Sequence, residues 1–309
     1  MKAATMSRKQ KTAFKILLKD KYLYLLLLPG LILYILFCYY PMYGLLMAFQ
    51  DYNPVDGILR SPFVGFTHFT NFFDSMFFGR LLRNTILLSL YNLIFGFPIP
   101  ILFALMLNEV KPGPFKKFTQ TISYLPHFIS VVVIVGMLNI VFSPTGIIPE
   151  VLTKLTGSSP NFLSDAKWFR TMYVGSEIWQ HFGWNSIIYM AALAGIDQGL
   201  YEAAKIDGAS RFKQIWHITL PGIAPTIVTL LILNSGSILS VGFEKIILMY
   251  SPATYSTADV ISTYTYRVGL LQSQYSFGVA VGMFNSVANC IILIIVNAIS
   301  RKLTETSLW

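Results

Sequence analysis

Apolar residues run through this chain in six long stretches, separated by shorter polar ones. The stretches cover about 22–49, 84–107, 122–142, 173–196, 222–243 and 277–299. Each is long enough, as a helix, to cross a hydrocarbon layer about 30 Å thick, which takes roughly 20 residues. The pattern predicts an all-α membrane protein with six transmembrane helices. The first stretch is too long for the core of a signal peptide and has no small-residue cleavage site after it, so it reads as an uncleaved first span. Pro29, Pro41, Pro98 and Pro100 are expected to bend spans or mark their ends. Residues 51–84 are mixed and rich in phenylalanine (Phe63, Phe66, Phe69, Phe72, Phe73, Phe77, Phe78), which suggests an interfacial or re-entrant segment.

Composition agrees with this pattern. Of 309 residues, 54% are hydrophobic and 12% charged, against roughly 25% charged in an average soluble domain. The net charge of +9 does not mark a nucleic-acid binder, because no basic, aromatic-laced soluble face accompanies it. Its placement reports orientation instead. Fifteen of the 23 Lys and Arg fall in the tail 1–21, the turn at 108–117, the loop 201–221 and the tail 301–309; eight fall on the other side. The positive-inside rule then predicts a multi-pass membrane protein with both termini and the 201–221 loop in the cytoplasm. Cys38 and Cys290 lie inside apolar stretches and are read as small buried hydrophobes. The chain contains neither a Cys/His metal cluster nor a Gly-rich phosphate loop, so no cofactor is expected on it.

One polar interruption carries more information than the others. Residues 201–221 read YEAAKIDGASRFKQIWHITLP and hold five charged groups between two spans. Residues 201–206 are good helix formers, Asp207-Gly208 is a turn signal, and Ser210 is placed to cap a second helix. Phe212, Ile215 and Trp216 are expected on one face of that second helix, and Pro221 at the start of the next span.

This order of residues (Glu202, Ala203, Ala204, Asp207, Gly208, Ala209, Leu220, Pro221) resembles the cytoplasmic EAA coupling loop of ABC importer permeases that work with a solute-binding protein. The resemblance implies a type I ABC importer permease fold, with an ABC transmembrane domain over 81–300 preceded by a first helix and outer segment over 22–80. It also implies that the loop docks on a separate ATPase, with Phe212, Ile215 and Trp216 filling an apolar groove. ATP and magnesium would then be held by two partner ATPase subunits. The other implied partners are a second homologous permease forming a heterodimer, an extracellular solute-binding protein and membrane lipid, with no nucleic acid. The stretches GIDQGLYEAAKIDGA, GFEKIILMYSP and AVGMFNSVANCIILIIVN are similar to permeases of the maltose and polysaccharide type, which implies an oligosaccharide or complex glycan as cargo. On this reading the chain is not itself an enzyme.

Polar residues inside the spans are the candidates for the translocation path. Glu177, His181, Trp184 and Ile188 recur at spacings of four, three and four, on one helical face. Ionisable groups in a span are costly unless they face protein or a water-filled cavity, and an indole offers a platform for a sugar ring. In the maltose-type relatives this helix and the one after the loop line the sugar site, which adds Asn234 and Ser237 as expected path residues. Asn139, Asn185, Asn285 and Asn289 are read as helix–helix hydrogen-bonding groups. The segment Gly242-Phe243-Glu244-Lys245 is either an exposed loop start or a contact for the binding protein or outer gate. Competing readings are the same machine with non-sugar cargo, a proton-coupled secondary transporter using Glu177 and His181, and a membrane enzyme using the same pair. The secondary transporter is disfavoured because no internal repeat is visible; the enzyme lacks a nucleophile or metal motif.

Overall fold

A computed structural model describes residues 21–304; the basic tail 1–20 and the last five residues lie outside the described residues. The described residues are mostly helical, with one isolated antiparallel bridge between Gln50 and Phe63. The long elements are α1 (Lys21–Phe49), α2 (Phe78–Glu109), α3 (Pro114–Phe128), α4 (Val131–Val141), α5 (Ile147–Thr156), α6 (Ala166–Ala194), α7 (Gln198–Ile206), α8 (Arg211–Ser235), α9 (Phe243–Met249) and α10 (Tyr275–Thr304).

Length and composition do not reproduce six spans. Four helices (α1, α2, α8 and α10) are long and apolar enough to cross a membrane, and a fifth span exists if the bent pair α3 and α4 is counted as one. The expected third span at 122–142 is therefore not straight: α3 and α4 meet at 99°. Pro126 and the Ser130 cap explain the break. Ser130 takes an extended backbone and accepts the Val133 N–H, which starts a new helix rather than continuing the old one. All but the last two residues of the expected fourth span lie in α6, which has 29 residues but too many polar ones to pass as an apolar span.

Three of the helices share a further device. A wide π-type turn covers Ile35–Tyr39 in α1, Asn92–Gly96 in α2 and Ile215–Thr219 in α8, and a proline follows each after one intervening residue (Pro41, Pro98, Pro221). Proline brings no N–H and its ring presses on the preceding turn; an i to i+5 turn relieves both without ending the helix. Pro221 thus does not begin a separate span, as the sequence suggested, but sits inside the continuous α8.

Residues 51–77 fold as short helices that carry an aromatic cluster. Phe72 is fully buried against Phe78, Phe277 and Phe284 at centroid distances of 5.1–6.2 Å, which ties this segment to α2 and α10. Cys38 and Cys290 are both exposed on helix surfaces, contrary to the buried reading. An apolar helix face in this chain is not the same as a buried one, since the outer faces of α1 and α10 carry leucine, isoleucine and phenylalanine throughout.

At the centre stands α6, which packs against α2, α3 and α8. Gly183 makes its contact with α3 possible: a Cβ there would run into the carbonyl of Ser123. Gly183→Ala is therefore expected to cost roughly 1–3 kcal/mol, the usual range for overpacking. Gly175→Ala, on the same helix with open space around it, should be neutral or slightly stabilising. Thermal unfolding of the two variants in detergent checks the contrast; equal midpoints would contradict the packing.

Candidate functional site: a capped loop and a polar cavity

The 201–221 loop is built from local bonds. Asp197 caps α7 by accepting the Gly199 N–H at 2.9 Å, so the helix begins three residues before Tyr201. Gly208 has φ +72°, the left-handed region that an L side chain rarely adopts, and the Ala209 N–H reaches back to the Ala204 carbonyl at 2.8 Å. Ser210 caps α8, its hydroxyl facing the Lys213 N–H. Two bonds then close the loop on itself: the buried Gln214 amide donates to the Ala209 carbonyl at 2.9 Å, and Tyr201 and Thr219 share a hydroxyl–hydroxyl bond at 3.0 Å. Arg211 reaches Glu109 of α2 at 3.5 Å.

Against this closed interior, the outer surface is open. Glu202, Ala203, Asp207 and Gly208 are exposed, Ala204, Ala209 and Leu220 are half-buried, and Pro221 is exposed. Phe212 is 74% exposed and Trp216 61%. Ile215 departs from the expected face: it turns inward and packs with Ile223, Tyr189 and Leu193. The Asp197 cap was missed because helix propensity was read from Tyr201 onward, although aspartate directly before a helix-forming run is a start signal.

The second feature is a cavity of about 510 Å³ between α2, α6, α8 and residues 237–242. Glu177, His181, Asn234 and Ser237 all line it, as do Asn92 and Asn185. Contrary to the helix–helix reading, Asn185 faces the cavity, Asn289 of α10 bonds Leu239 and Ser240 of a non-helical segment, and Asn139 is exposed. Trp184 is not part of the lining. Its ring stacks flat on His127, with centroids 4.5 Å apart and planes 2° from parallel.

Two residues stand behind the wall: Lys245, whose segment was expected as an exposed loop start or an outer contact and which is instead turned inward, and His127, which sequence reasoning did not single out. Lys245 of α9 is 2% exposed and donates to Glu177 Oε2 at 2.9 Å and to Gln180 Oε1 at 3.4 Å. His127, at the break between α3 and α4, lies 3.0 Å from His181, Nδ1 to Nδ1. His181 Nε2 in turn lies 3.3 Å from Glu177 Oε1. The groups form a row, Lys245–Glu177–His181–His127, that joins three elements. A lone lysine in the apolar run FEKIILM was the available signal, since a buried ammonium needs a counter-ion.

Residues 236–242 have left the helical ladder, and side chains from three helices supply their partners. Ser89 of α2 donates to the Ile238 carbonyl. The Leu239 N–H donates to Asn289 of α10 at 2.9 Å, and the Gly242 N–H donates to the Tyr173 hydroxyl of α6 at 3.1 Å. Irregular backbone inside a membrane is tolerated where it is bonded in this way and lines a cavity.

Comparison with known proteins matches this arrangement to a transport family. The chain is 47% identical over 292 residues to Protein LplB of Bacillus subtilis (strain 168), covering 94% of this chain and 92% of that one. It is 45% identical over 294 residues to the Polygalacturonan/rhamnogalacturonan transport system permease protein YteP of the same organism, covering 95% and 92%. Among solved structures it superposes with a TM-score of 0.88 and 45% identity on a chain of a bacterial ABC transporter involved in the import of the acidic polysaccharide alginate, covering 95% of this chain and 99% of that one. The same score and identity hold for that transporter in complex with an alginate pentasaccharide-bound periplasmic protein. The family described as binding-protein-dependent transport system inner membrane component matches residues 76–305, and with several apolar helices long enough to cross a membrane the chain belongs to that family as a multi-pass permease subunit of an ABC transporter.

Proposed function

We propose that this permease moves an oligosaccharide or complex glycan, handed over by an extracellular binding protein, into the cytoplasm at the expense of ATP bound elsewhere. The observation that carries the cargo is the match, at 45% identity over nearly the whole chain, to a permease of an alginate importer and to one of a polygalacturonan/rhamnogalacturonan system. The cavity supports it: amides and hydroxyls from Asn92, Asn185, Asn234 and Ser237 suit a ligand made of hydroxyl groups.

On this reading the 201–221 loop is the cytoplasmic coupling element, and both termini share its side. A second, related permease completes the pathway, and two ATPase subunits hold ATP and magnesium. Glu202, Ala203, Ala204, Asp207, Gly208 and Ala209 form the docking surface, and Phe212 fills an apolar groove on the ATPase. Leu220 and Pro221 carry the motion into α8. What supports this is the contrast between a loop interior with its bonds closed and two large aromatic side chains left uncovered. Closure of the ATPases would move the loop as a body, because its two helices are bonded to each other rather than strung on a flexible tether. Glu177, His181, Asn234 and Ser237 are the cargo-facing groups. Trp184 acts behind them by fixing the plane of His127.

Two outcomes follow. Gly208→Asp puts a side chain on a left-handed residue at the docking surface, and is expected to leave the amount of permease in the membrane within about twofold while abolishing ATP-driven uptake in vesicles. Uptake at the wild-type rate would contradict the coupling role. Cysteine at Ala203, in a variant lacking Cys38 and Cys290, should crosslink to the ATPase from the cytoplasmic side. Labelling of that cysteine from outside the cell would overturn the orientation.

A further inference from the structure

The cavity wall has an unusual charge arrangement. Among the described residues that line it, Glu177 is the one carboxylate, and no lysine or arginine is present. The nearest cation is Lys245, whose side chain is almost wholly buried behind the wall, while Glu177 keeps part of its carboxylate open to the cavity. We infer that Lys245 sets the charge class of the cargo: by neutralising Glu177 from behind the wall it admits carboxylate-bearing glycans to the cavity, although it touches no cargo itself.

The inference rests on the glycan-import reading above. An acidic sugar entering the cavity approaches Glu177 within a few ångströms, in surroundings where charges are weakly screened. Alone, Glu177 would repel it. Paired at 2.9 Å with an ammonium that Gln180 also holds, Glu177 presents a dipole instead of a net charge. Its oxygens still accept hydrogen bonds from sugar hydroxyls. The other titratable groups facing the pair are Tyr173, whose ring lies 5.9 Å from the Lys245 ammonium, and His181 with His127 beyond it. None of these supplies a permanent positive charge. A purely structural pair would have no need of the cavity, since apolar residues of similar volume hold helices together at least as well.

The test uses membrane vesicles holding the complete importer and its binding protein. Uptake of a uronate oligosaccharide is compared with that of its methyl ester, both saturating for the binding protein. The ratio of the two rates is independent of how much permease each variant delivers to the membrane. Lys245→Met is expected to lower the acid-to-ester ratio about tenfold. Glu177→Gln, which leaves the ammonium unpaired, should raise it about threefold. The double variant, neutral again, should return it to within about twofold of wild type. A structural role would lower both rates together, so an unchanged ratio in Lys245→Met overturns the proposal. A double variant that keeps the low ratio overturns it too. Should Lys245→Met fail to reach the membrane, an unchanged ratio in Glu177→Gln has the same force. Wild-type vesicles that take up neither form would refute the glycan reading and not the charge assignment.

Discussion

The Gln180 amide donates to the carbonyl of Ile129 at 3.2 Å, and the rest of the bundle depends on bonds of this kind. In a membrane, a backbone group released from a helix finds no water, and leaving it bare costs several kcal/mol. Two elements beside α6 have released such groups. The break between α3 and α4 frees the carbonyl of Ile129, and the segment after α8 frees the N–H of Gly242. Helix α6 answers both, with Gln180 for the first and the Tyr173 hydroxyl for the second. Glu177, one turn from each, holds Lys245. The polar residues that keep α6 from passing as an apolar span are the same ones that let its neighbours break.

This division of labour explains where the cavity lies. Straight apolar helices close on one another and leave no polar space between them. Helices that break or widen leave room, and the room is lined by whatever satisfies the freed groups. The proline-associated wide turn of α2 contributes Asn92 and Gly96 to the lining, and the irregular segment contributes Ser237 and Gly242. The wide turn of α8 lies instead beside the 201–221 loop, where its Thr219 bonds Tyr201. One helix therefore joins the loop at its start to the cavity at its end. A displacement of the loop at Arg211 reaches Asn234 through about six turns of continuous helix.

Much of this was legible in the sequence, and the reasons differ from part to part. The loop could be read almost residue by residue because its bonds are local: Gly208 in a turn and Ser210 at a cap need only their near neighbours. Glu177 and His181 were legible because ionisable groups in an apolar run stand out at helical spacing, whereas Asn234 and Ser237 were named only through the resemblance to maltose-type permeases. His127 was not legible, and Lys245 was marked only as part of an outer segment, since each acquires its meaning through a partner tens of residues away on another helix. The 99° break was hidden for a different reason. Val131 to Val141 is as apolar as any span, and hydropathy measures the cost of exposure rather than the direction of the chain. Ile215 was misassigned because it lies at the edge of the Phe212 face, about 60° round the helix on the side away from Trp216, where it reaches the cluster of Ile223, Tyr189 and Leu193. Trp184 has the spacing of the path residues but is drawn to the imidazole of His127.

The claim that α6 presents one polar face to a water-filled cavity and the others to protein and lipid can be measured directly. Single cysteines are placed along α6, in a variant without Cys38 and Cys290, and probed in membranes with a charged, water-soluble thiol reagent. Positions 181, 185 and 188 are predicted to react, and positions 176, 179 and 186 to stay protected. Equal labelling of the two sets, or labelling of 176, 179 and 186 alone, would contradict the account.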